Sequence, residues 1–310
     1  MNFTFYIHEI QKETKGFASP DLYEKDLVLS TFLSNWSKVE TPHLDNLIFK
    51  GGTLLTKNYL EYHRISEDLD FIHKDSNQIR KIQTKGKQET QIKNRIIPII
   101  DEIKHIADKS KLEFETNRHD SRYVLLRNSR RLYIFNMYYK SKITKLEDAI
   151  KIEISFTEDL INEYKEEEIK SIFDLKVRNK ELFRKITDYD LKNPTLKIYS
   201  INEIILEKIR AIITREQFKQ RDVFDLFLIN KATNIFNISK KDMFKKIDAS
   251  PFQKEKVVVN IKEFIKEEIK AELEEIKSLS LVVFDEEEYT AFFSEVIAFC
   301  KKVAQEYLEK

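Results

Sequence analysis

LIFKGGT at residues 47–53 and SEDLD at residues 66–70 are the two segments of the sequence that decide its fold. The apolar residues 47–49 predict a buried strand, and the glycine pair after them predicts a turn into a helix over residues 53–62, with Thr53 as its N-cap. Residues 68–72 predict a second strand. A strand, a glycine turn, a helix and another strand in close succession indicate an α/β core.

The second predicted strand carries an acidic pair. Asp68 and Asp70 stand at alternate positions, so their carboxylates point to the same side of the strand. Two adjacent like charges repel unless a cation lies between them, and Mg²⁺ binds proteins through one or two carboxylates together with substrate phosphates. Asp-x-Asp also occurs on ordinary surface strands, so the pair needs support from its surroundings.

That support comes from the glycine turn. The whole chain has four glycines, and two of them are Gly51 and Gly52. A turn without side chains lets phosphate oxygens approach backbone N–H groups near the positive end of a helix dipole. We therefore expect Gly51, Gly52 and Thr53 to form a cradle for phosphate groups. Ser66 is expected to form a local hydrogen bond or to contact a phosphate.

A third carboxylate is available in KIEISF at residues 151–156, which alternates strictly between polar and apolar side chains. If this strand neighbours the strand at 68–72, Glu153 joins Asp68 and Asp70 as a ligand of Mg²⁺ or Mn²⁺. The alternative is that Glu153 only faces solvent on a half-exposed strand.

Periodicity predicts the remaining elements and an α+β fold. The predicted helices cover residues 21–38, 87–109 with Pro98 as a kink or break, 201–218, 223–230, 239–247, 251–277 and 286–308. The predicted strands cover residues 131–139 and 149–156, with short ones near 169–175 and 196–199. We expect an α/β domain over residues 1–200, with a motif core at 47–160, and a mostly helical domain over residues 201–310.

Composition limits the class of protein. The chain has 310 residues, 41% of them hydrophobic and 35% charged, and its one cysteine, Cys300, excludes an internal disulfide. With no evident signal peptide or long apolar segment, we expect a cytoplasmic protein without a membrane partner. Residues 76–131 contain 14 Lys and Arg against 7 Asp and Glu, whereas residues 263–310 contain 6 against 13. The basic stretch either meets nucleic acid or is a solvated helical surface.

Three motifs in order resemble one known family. Gly-Gly-Thr, a helix and Arg64-x-Ser66-x-Asp68-x-Asp70 resemble the AbiEii/AbiGii toxins, a branch of the polymerase-β-like nucleotidyltransferases. INEIILEKIRA at residues 201–211 is similar to the glutamate–lysine helix of that family, and RDVFDL at residues 221–226 is similar to its Arg-Asp-x-x-Asp-Leu segment. The resemblance covers residues 47–230.

The resemblance implies a mixed-sheet nucleotidyltransferase core with a helical C-terminal half. It implies a Mg²⁺-dependent enzyme that moves an NMP from an NTP to a hydroxyl of RNA, with the tRNA 3′ end as the acceptor. Asp68, Asp70, Lys208 and Asp222 would be its catalytic residues, with Lys208 on the phosphates and Asp222 orienting Lys208, the nucleotide or the acceptor. Such a toxin belongs to a toxin–antitoxin or phage-defence system and has a cognate antitoxin as partner.

Three alternatives remain open at this point. Asp222 can instead form a structural ion pair with Arg221. The acceptor can be a protein or a small molecule rather than RNA. A chain of this fold can also serve as a non-catalytic partner-binding module. Glu153 stands where related enzymes generally use Asp, which leaves its role as a metal ligand open as well.

Overall fold

The computed structural model describes residues 3–14, 19–39, 41–172, 181, 184–185, 192–250 and 254–310. The chain divides into two compact units. The first contains residues 1–156, 164–199 and 280–282, and the second contains residues 157–163, 200–279 and 283–310. Whether either unit is an independent domain, with a boundary at residue 200, stays a prediction.

The first unit combines helices with a mixed sheet. Its helices are α1 (Phe3–Thr14), α2 (Pro20–Trp36), α3 (Gly51–Leu54), which continues as one π-helical turn (Leu55–Tyr59), α4 (Ser76–Arg80) and α5 (Lys85–Lys109). Its strands are β1 (Leu47–Lys50), β2 (Asp68–His73), β3 (Val124–Arg127), β4 (Leu132–Lys140), β5 (Glu147–Ser155), β6 (Lys165–Glu168) and β7 (Thr195–Ile198). The α+β class predicted from the sequence is confirmed.

The described strands form one seven-stranded sheet in the order β3-β4-β5-β2-β1-β7-β6. β2 pairs antiparallel with β1 and parallel with β5, and β1 pairs parallel with β7. β2 therefore lies between β1, which ends at the glycine turn, and β5, which carries Glu153. This order brings the motifs of the sequence onto adjacent strands.

One face of the sheet is buried and the other is half exposed. Phe71 of β2 packs against Phe49 and Trp36, with ring centroids 5.1 Å and 5.2 Å away. Along β4 and β5 the buried side chains alternate with half-buried ones. The apolar stripe of α5 is buried as well; it comprises Ile92, Ile96, Ile99, Ile103 and Ile106. The open face carries the polar residues of β2 and β5.

Several local predictions for the first unit were wrong. Helix α5 continues through Pro98, so the predicted break there is wrong, whereas a kink stays a prediction; the buried isoleucine stripe of α5 offsets the lost hydrogen bond. Thr53 is not an N-cap: the cap position is Lys50, and the helix already begins at Gly51. The short strand predicted near residues 169–175 is wrong for residues 169–172, because the strand in this region is β6, which ends at Glu168. Residues 173–175 lie outside the described part. Strand β3 was not predicted from the sequence.

The second unit is helical. Its described helices are α6 (Ile201–Thr214), α7 (Gln220–Asn230), α8 (Lys240–Asp248), α9 (Lys254–Lys266), α10 (Leu273–Leu279) and α11 (Glu286–Leu308). Ser200 caps α6 by accepting a hydrogen bond from the Glu203 amide. The single helix predicted over residues 251–277 is wrong, because residues 267–272 interrupt it and the Lys270 carbonyl there accepts a hydrogen bond from Gln220. Residues 251–253 lie outside the described part. No helix among the described residues is long and apolar enough to cross a membrane.

Candidate active site

The turn between β1 and α3 depends on Gly51. Its φ is +81°, a left-handed conformation that side chains with a Cβ rarely adopt. A Cβ at this position would lie 2.2 Å from Oδ2 of Asp70. The absent side chain therefore leaves the space in which the Asp70 carboxylate lies against the backbone of the turn.

Gly52 makes room for a different group. A Cβ there would lie 2.6 Å from Nη2 of Arg64 and 3.1 Å from the hydroxyl of Ser66. Arg64 is buried, and its Nη1 donates a hydrogen bond to the Ile65 carbonyl at 2.9 Å. A guanidinium group thus lies against the glycine turn and contributes positive charge beside the backbone N–H groups. Lys50 is also buried at the end of β1, with Nζ 6.0 Å from the centroid of the Tyr199 ring.

Thr53 fixes the start of β2. Its hydroxyl is buried, lies 2.9 Å from Oγ of Ser66 and also contacts the carbonyl of Asp68. Ser66 therefore takes part in the local hydrogen bond expected from the sequence. Contact of Thr53 or Ser66 with a phosphate stays a prediction. The two hydroxyls hold the first turn of α3 against the chain that leads into the acidic pair.

The sheet register brings the acidic residues together. Asp70 is paired across the ladder with Glu153, and Asp68 with Lys151. These four residues lie on the half-exposed face. Nζ of Lys151 is 3.1 Å from Oδ2 of Asp68 and 2.9 Å from Oε1 of Glu153. Partial burial lowers the pKa of Lys151, but the two carboxylates outweigh it, so the pKa is raised and the ammonium group stays charged.

The donor set fits a divalent cation. Asp68 and Asp70 offer hard carboxylate oxygens on one open face, and the Lys151 ammonium shows that a positive charge is already stabilised between Asp68 and Glu153. Within the described ranges, no three His, Cys, Asp or Glu side chains converge as a ligand set. The geometry therefore suits a cation held by Asp68 and Asp70 with other oxygens completing its shell, and Lys151 contacts both Asp68 and Glu153.

The second unit contains a buried ionic cluster on α6 and α7. Nζ of Lys208 lies 2.6 Å from Oδ2 of Asp225 and 3.1 Å from Oδ1 of Asp222. Arg215 forms an ion pair with the other oxygen of Asp222. Lys208 and both aspartates are buried. Burial raises the pKa of Asp222. The positive charges of Lys208 and Arg215 lower it by a larger amount, and the resulting pKa is about 2.

This cluster changes the interpretation of one motif. The arginine that pairs with Asp222 is Arg215, which precedes α7, and not Arg221 of the Arg-Asp motif. Asp225, the second aspartate of the motif, is fully buried and holds Lys208 at the shorter distance. Lys208 and Asp222 are adjacent, as the proposed orienting role of Asp222 requires.

The family follows from a comparison over most of the sequence. Residues 35–306 match the model of the nucleotidyl transferase AbiEii toxin family, which belongs to type IV toxin–antitoxin systems. The chain belongs to the AbiEii family. It is therefore a nucleotidyltransferase of a toxin family whose members use an NTP and a divalent metal ion, and a type IV toxin is paired with an antitoxin. Among curated proteins, none has a sequence that matches this one.

A solved structure shows the same fold as this AbiEii-family chain. MenT4, a nucleotidyltransferase toxin from Mycobacterium tuberculosis H37Rv, is 18% identical with a TM-score of 0.53, over 93% of this chain and 87% of that one. JHP933 from Helicobacter pylori is 16% identical with a TM-score of 0.42, over 93% of this chain and 95% of that one. At this identity the likeness to MenT4 supports the mixed-sheet nucleotidyltransferase fold.

The structure adds three side chains to the site that the sequence did not single out: Lys50, Lys151 and Arg215. The strict alternation of residues 151–156 already placed Lys151 on the side of Glu153, so that side chain could have been found from the sequence. The contact of Arg64 with Gly52 and that of Arg215 with Asp222 depend on tertiary packing, and no local pattern signals them.

Proposed function

We propose that this AbiEii-family protein is a Mg²⁺- or Mn²⁺-dependent nucleotidyltransferase that moves an NMP from an NTP to a hydroxyl of RNA, with the tRNA 3′ end as the acceptor. The observation that carries the proposal is the acidic pair of β2, whose second carboxylate lies in the space left by Gly51. An ordinary surface strand has no need of a glycine with positive φ against one of its carboxylates.

Asp68 and Asp70 would hold the divalent ion, and Glu153 is a further candidate ligand. When bound, such an ion neutralises charge on the reacting phosphates and on the pyrophosphate that leaves. Lys151 is a positioning residue in this proposal, because its ion pairs with Asp68 and Glu153 fix the direction of both carboxylates.

The glycine turn would receive the triphosphate. Gly51, Gly52 and Thr53 provide backbone N–H groups at the start of α3, and the Arg64 guanidinium beside Gly52 adds a fixed positive charge. Thr53 and Ser66 hold this turn in place through their hydroxyl contact. Preorganised donors of this kind stabilise developing charge without reorganisation cost.

Lys208 and Asp222 are proposed as a separate functional group of the second unit. Lys208 would contact phosphates, and Asp222 would orient it. The buried ion pairs with Asp222 and Asp225 hold the ammonium group in one direction, which supports a positioning role for both aspartates.

The acceptor class is supported by charge and by family. Residues 76–131 have an excess of seven positive charges, which suits phosphate-rich nucleic acid. Toxins of type IV systems act beside an antitoxin, so the proposal includes a cognate antitoxin as partner.

The test is label transfer from each of the four α-labelled NTPs to total tRNA, with Mg²⁺ or Mn²⁺ present. Wild-type protein should label RNA with at least one NTP, and Asp68→Asn should abolish the label because the variant keeps the size of the side chain and removes its charge. Glu67→Gln is the matched control: Glu67 forms an exposed ion pair with Lys25, 2.9 Å away, and such pairs contribute little, so the rate should remain at the wild-type level.

The distribution of label decides between acceptors. Label in RNA that depends on Asp68 supports the proposal. Label in protein or in a small product, and none in RNA, would overturn the RNA acceptor and favour transfer to another hydroxyl. Equal labelling by wild type and Asp68→Asn would overturn the assignment of the metal site.

A further inference from the structure

A basic cleft lies in the first unit, away from the acidic residues. It has a volume of about 590 Å³ and is lined by α5, the segment before β3 and the β3–β4 hairpin. Four of its lining side chains carry or can carry positive charge: Lys93, Arg118, His119 and Arg130. Glu89 is the carboxylate among the lining residues, and Arg130 lies 3.6 Å from it. The cleft is thus suited to an anion larger than a single carboxylate.

The start of α5 adds to this character. The helix has 25 residues, and its N-cap Thr84 makes no side-chain cap hydrogen bond. Gly86 in the first turn lines the cleft, and a Cβ built on it would meet nothing within 4 Å. An anion can therefore approach the positive end of the helix dipole closely.

In the hairpin between β3 and β4, Arg130 has an unusual, left-handed backbone conformation. Three consecutive non-glycine residues, Asn128, Ser129 and Arg130, have φ values of +49°, +55° and +64°. Each such residue costs energy that the surrounding structure must supply, and this kind of strain is concentrated at functional sites. In this protein the strained residues form the tip of the hairpin, which lies beside the cleft and also contains Arg127 and Arg131.

The position of the cleft excludes a role for it in the chemical step. Ile134 is paired with Glu153, which is paired with Asp70, so these three share one face of the sheet. Tyr133, which lines the cleft, points to the opposite, buried face. With strands about 4.8 Å apart, β2 lies roughly 14 Å from the edge at β3. A ligand that reaches both places must be an extended polyanion that passes around this edge.

We propose that the basic cleft binds the phosphodiester backbone of the acceptor RNA at a distance from its reacting end. This inference rests on the proposed function for the identity of the acceptor. The cleft holds RNA by charge and shape rather than by base identity, because its charged side chains other than Glu89 are cationic. It raises the affinity for long acceptors and takes no part in NTP binding.

The test uses a charge placed in the cleft without a steric clash. Gly86→Glu adds a carboxylate where the structure leaves open space, and Gly86→Gln is the neutral control of the same size. Fluorescence anisotropy with end-labelled total tRNA gives the Kd at several salt concentrations. Gly86→Glu should raise the Kd about tenfold above that of Gly86→Gln at physiological salt, because both side chains fill the same space and only the glutamate adds a negative charge. Arg130→Gln should reduce the slope of log Kd against log salt by about one.

Kinetics separate the cleft from the acidic site. Gly86→Glu should raise KM for RNA by a similar factor and leave kcat and KM for the NTP unchanged. Equal Kd values for Gly86→Glu and Gly86→Gln would overturn the inference. If wild-type protein labels no RNA at all, the proposed function falls, but the anisotropy series still decides the cleft because binding needs no catalysis.

Discussion

Replacing Gly51 by alanine should damage the active site far more than it damages the fold. The new Cβ would lie 2.2 Å from Oδ2 of Asp70, so the carboxylate must retreat by about 1 Å to reach ordinary contact. A displacement of that size at a catalytic group costs roughly 100-fold in rate. The left-handed backbone costs a further 1–2 kcal/mol or so of stability, because alanine rarely adopts φ near +81°.

The same chemical change at two other glycines provides the controls. In Gly52→Ala the nearest atom is the tip of Arg64, 2.6 Å from the new Cβ, and a guanidinium group can shift more easily than a carboxylate next to its own backbone. We expect that variant to lose less activity than Gly51→Ala. Gly86→Ala meets nothing within 4 Å and should keep wild-type activity.

Two measurements check this series. The rate of label transfer from NTP to RNA gives the catalytic effect, and urea unfolding gives the loss of stability. If Gly51→Ala unfolds like the wild type and transfers label within about threefold of the wild-type rate, or loses no more activity than Gly52→Ala, then the close approach of Asp70 to the turn is not what the chemistry needs.

Three further predictions concern buried charges. Lys208→Met should lower the free energy of unfolding in urea by about 3 kcal/mol, because two buried carboxylates lose the cation they share; a loss below about 1 kcal/mol would contradict this. Since the pKa of Asp222 is lowered to about 2, its ion pairs should stabilise the fold fully above pH 4 or so and lose this effect as the pH falls towards 2. The difference in unfolding free energy between wild type and Asp222→Asn should therefore shrink only below about pH 4. A difference that is the same at pH 3 and pH 6 would refute the assignment. Lys57→Met should lower the free energy of unfolding of the first unit in urea by about 3–5 kcal/mol, because Asp26 loses a cation 2.7 Å away. Adding Asp26→Leu should restore much of this stability. If it does not, packing rather than charge explains the loss of stability.

The local parts of the site could be predicted from the sequence. The strand at residues 47–49 and the strand at 68–72 are confirmed as β1 and β2, because apolar runs next to glycine and alternating acidic residues are local signals. The alternation of residues 151–156 predicted the face on which Glu153 lies, and the parallel pairing of β2 with β5 then placed it opposite Asp70. The helix that carries Lys208 was predicted from periodicity over residues 201–218 and is confirmed as α6, which ends at Thr214.

Other parts of the site depend on contacts between distant residues. The sequence predicted a metal ion beside Asp68 and Asp70 but not the ammonium group of Lys151 between Asp68 and Glu153, because that contact depends on the register of two strands. Arg215 rather than Arg221 pairs with Asp222, because the turn before α7 brings Arg215 close. β3 has only four residues with one buried side chain, too weak a pattern to recognise before its partner strand is known.

A short segment late in the chain has a consequence for how the protein is made. Residues 280–282 belong to the first unit although residues of the second unit flank them on both sides. Leu281 donates its amide hydrogen to the His63 carbonyl at 2.7 Å, and Ser280 forms a bridge with Arg64. A ribosome must therefore synthesise residues 200–279 of the second unit before the first unit has all of its parts. An abortive or truncated translation product that ends before residue 280 lacks the segment that contacts Arg64, the residue behind the glycine turn.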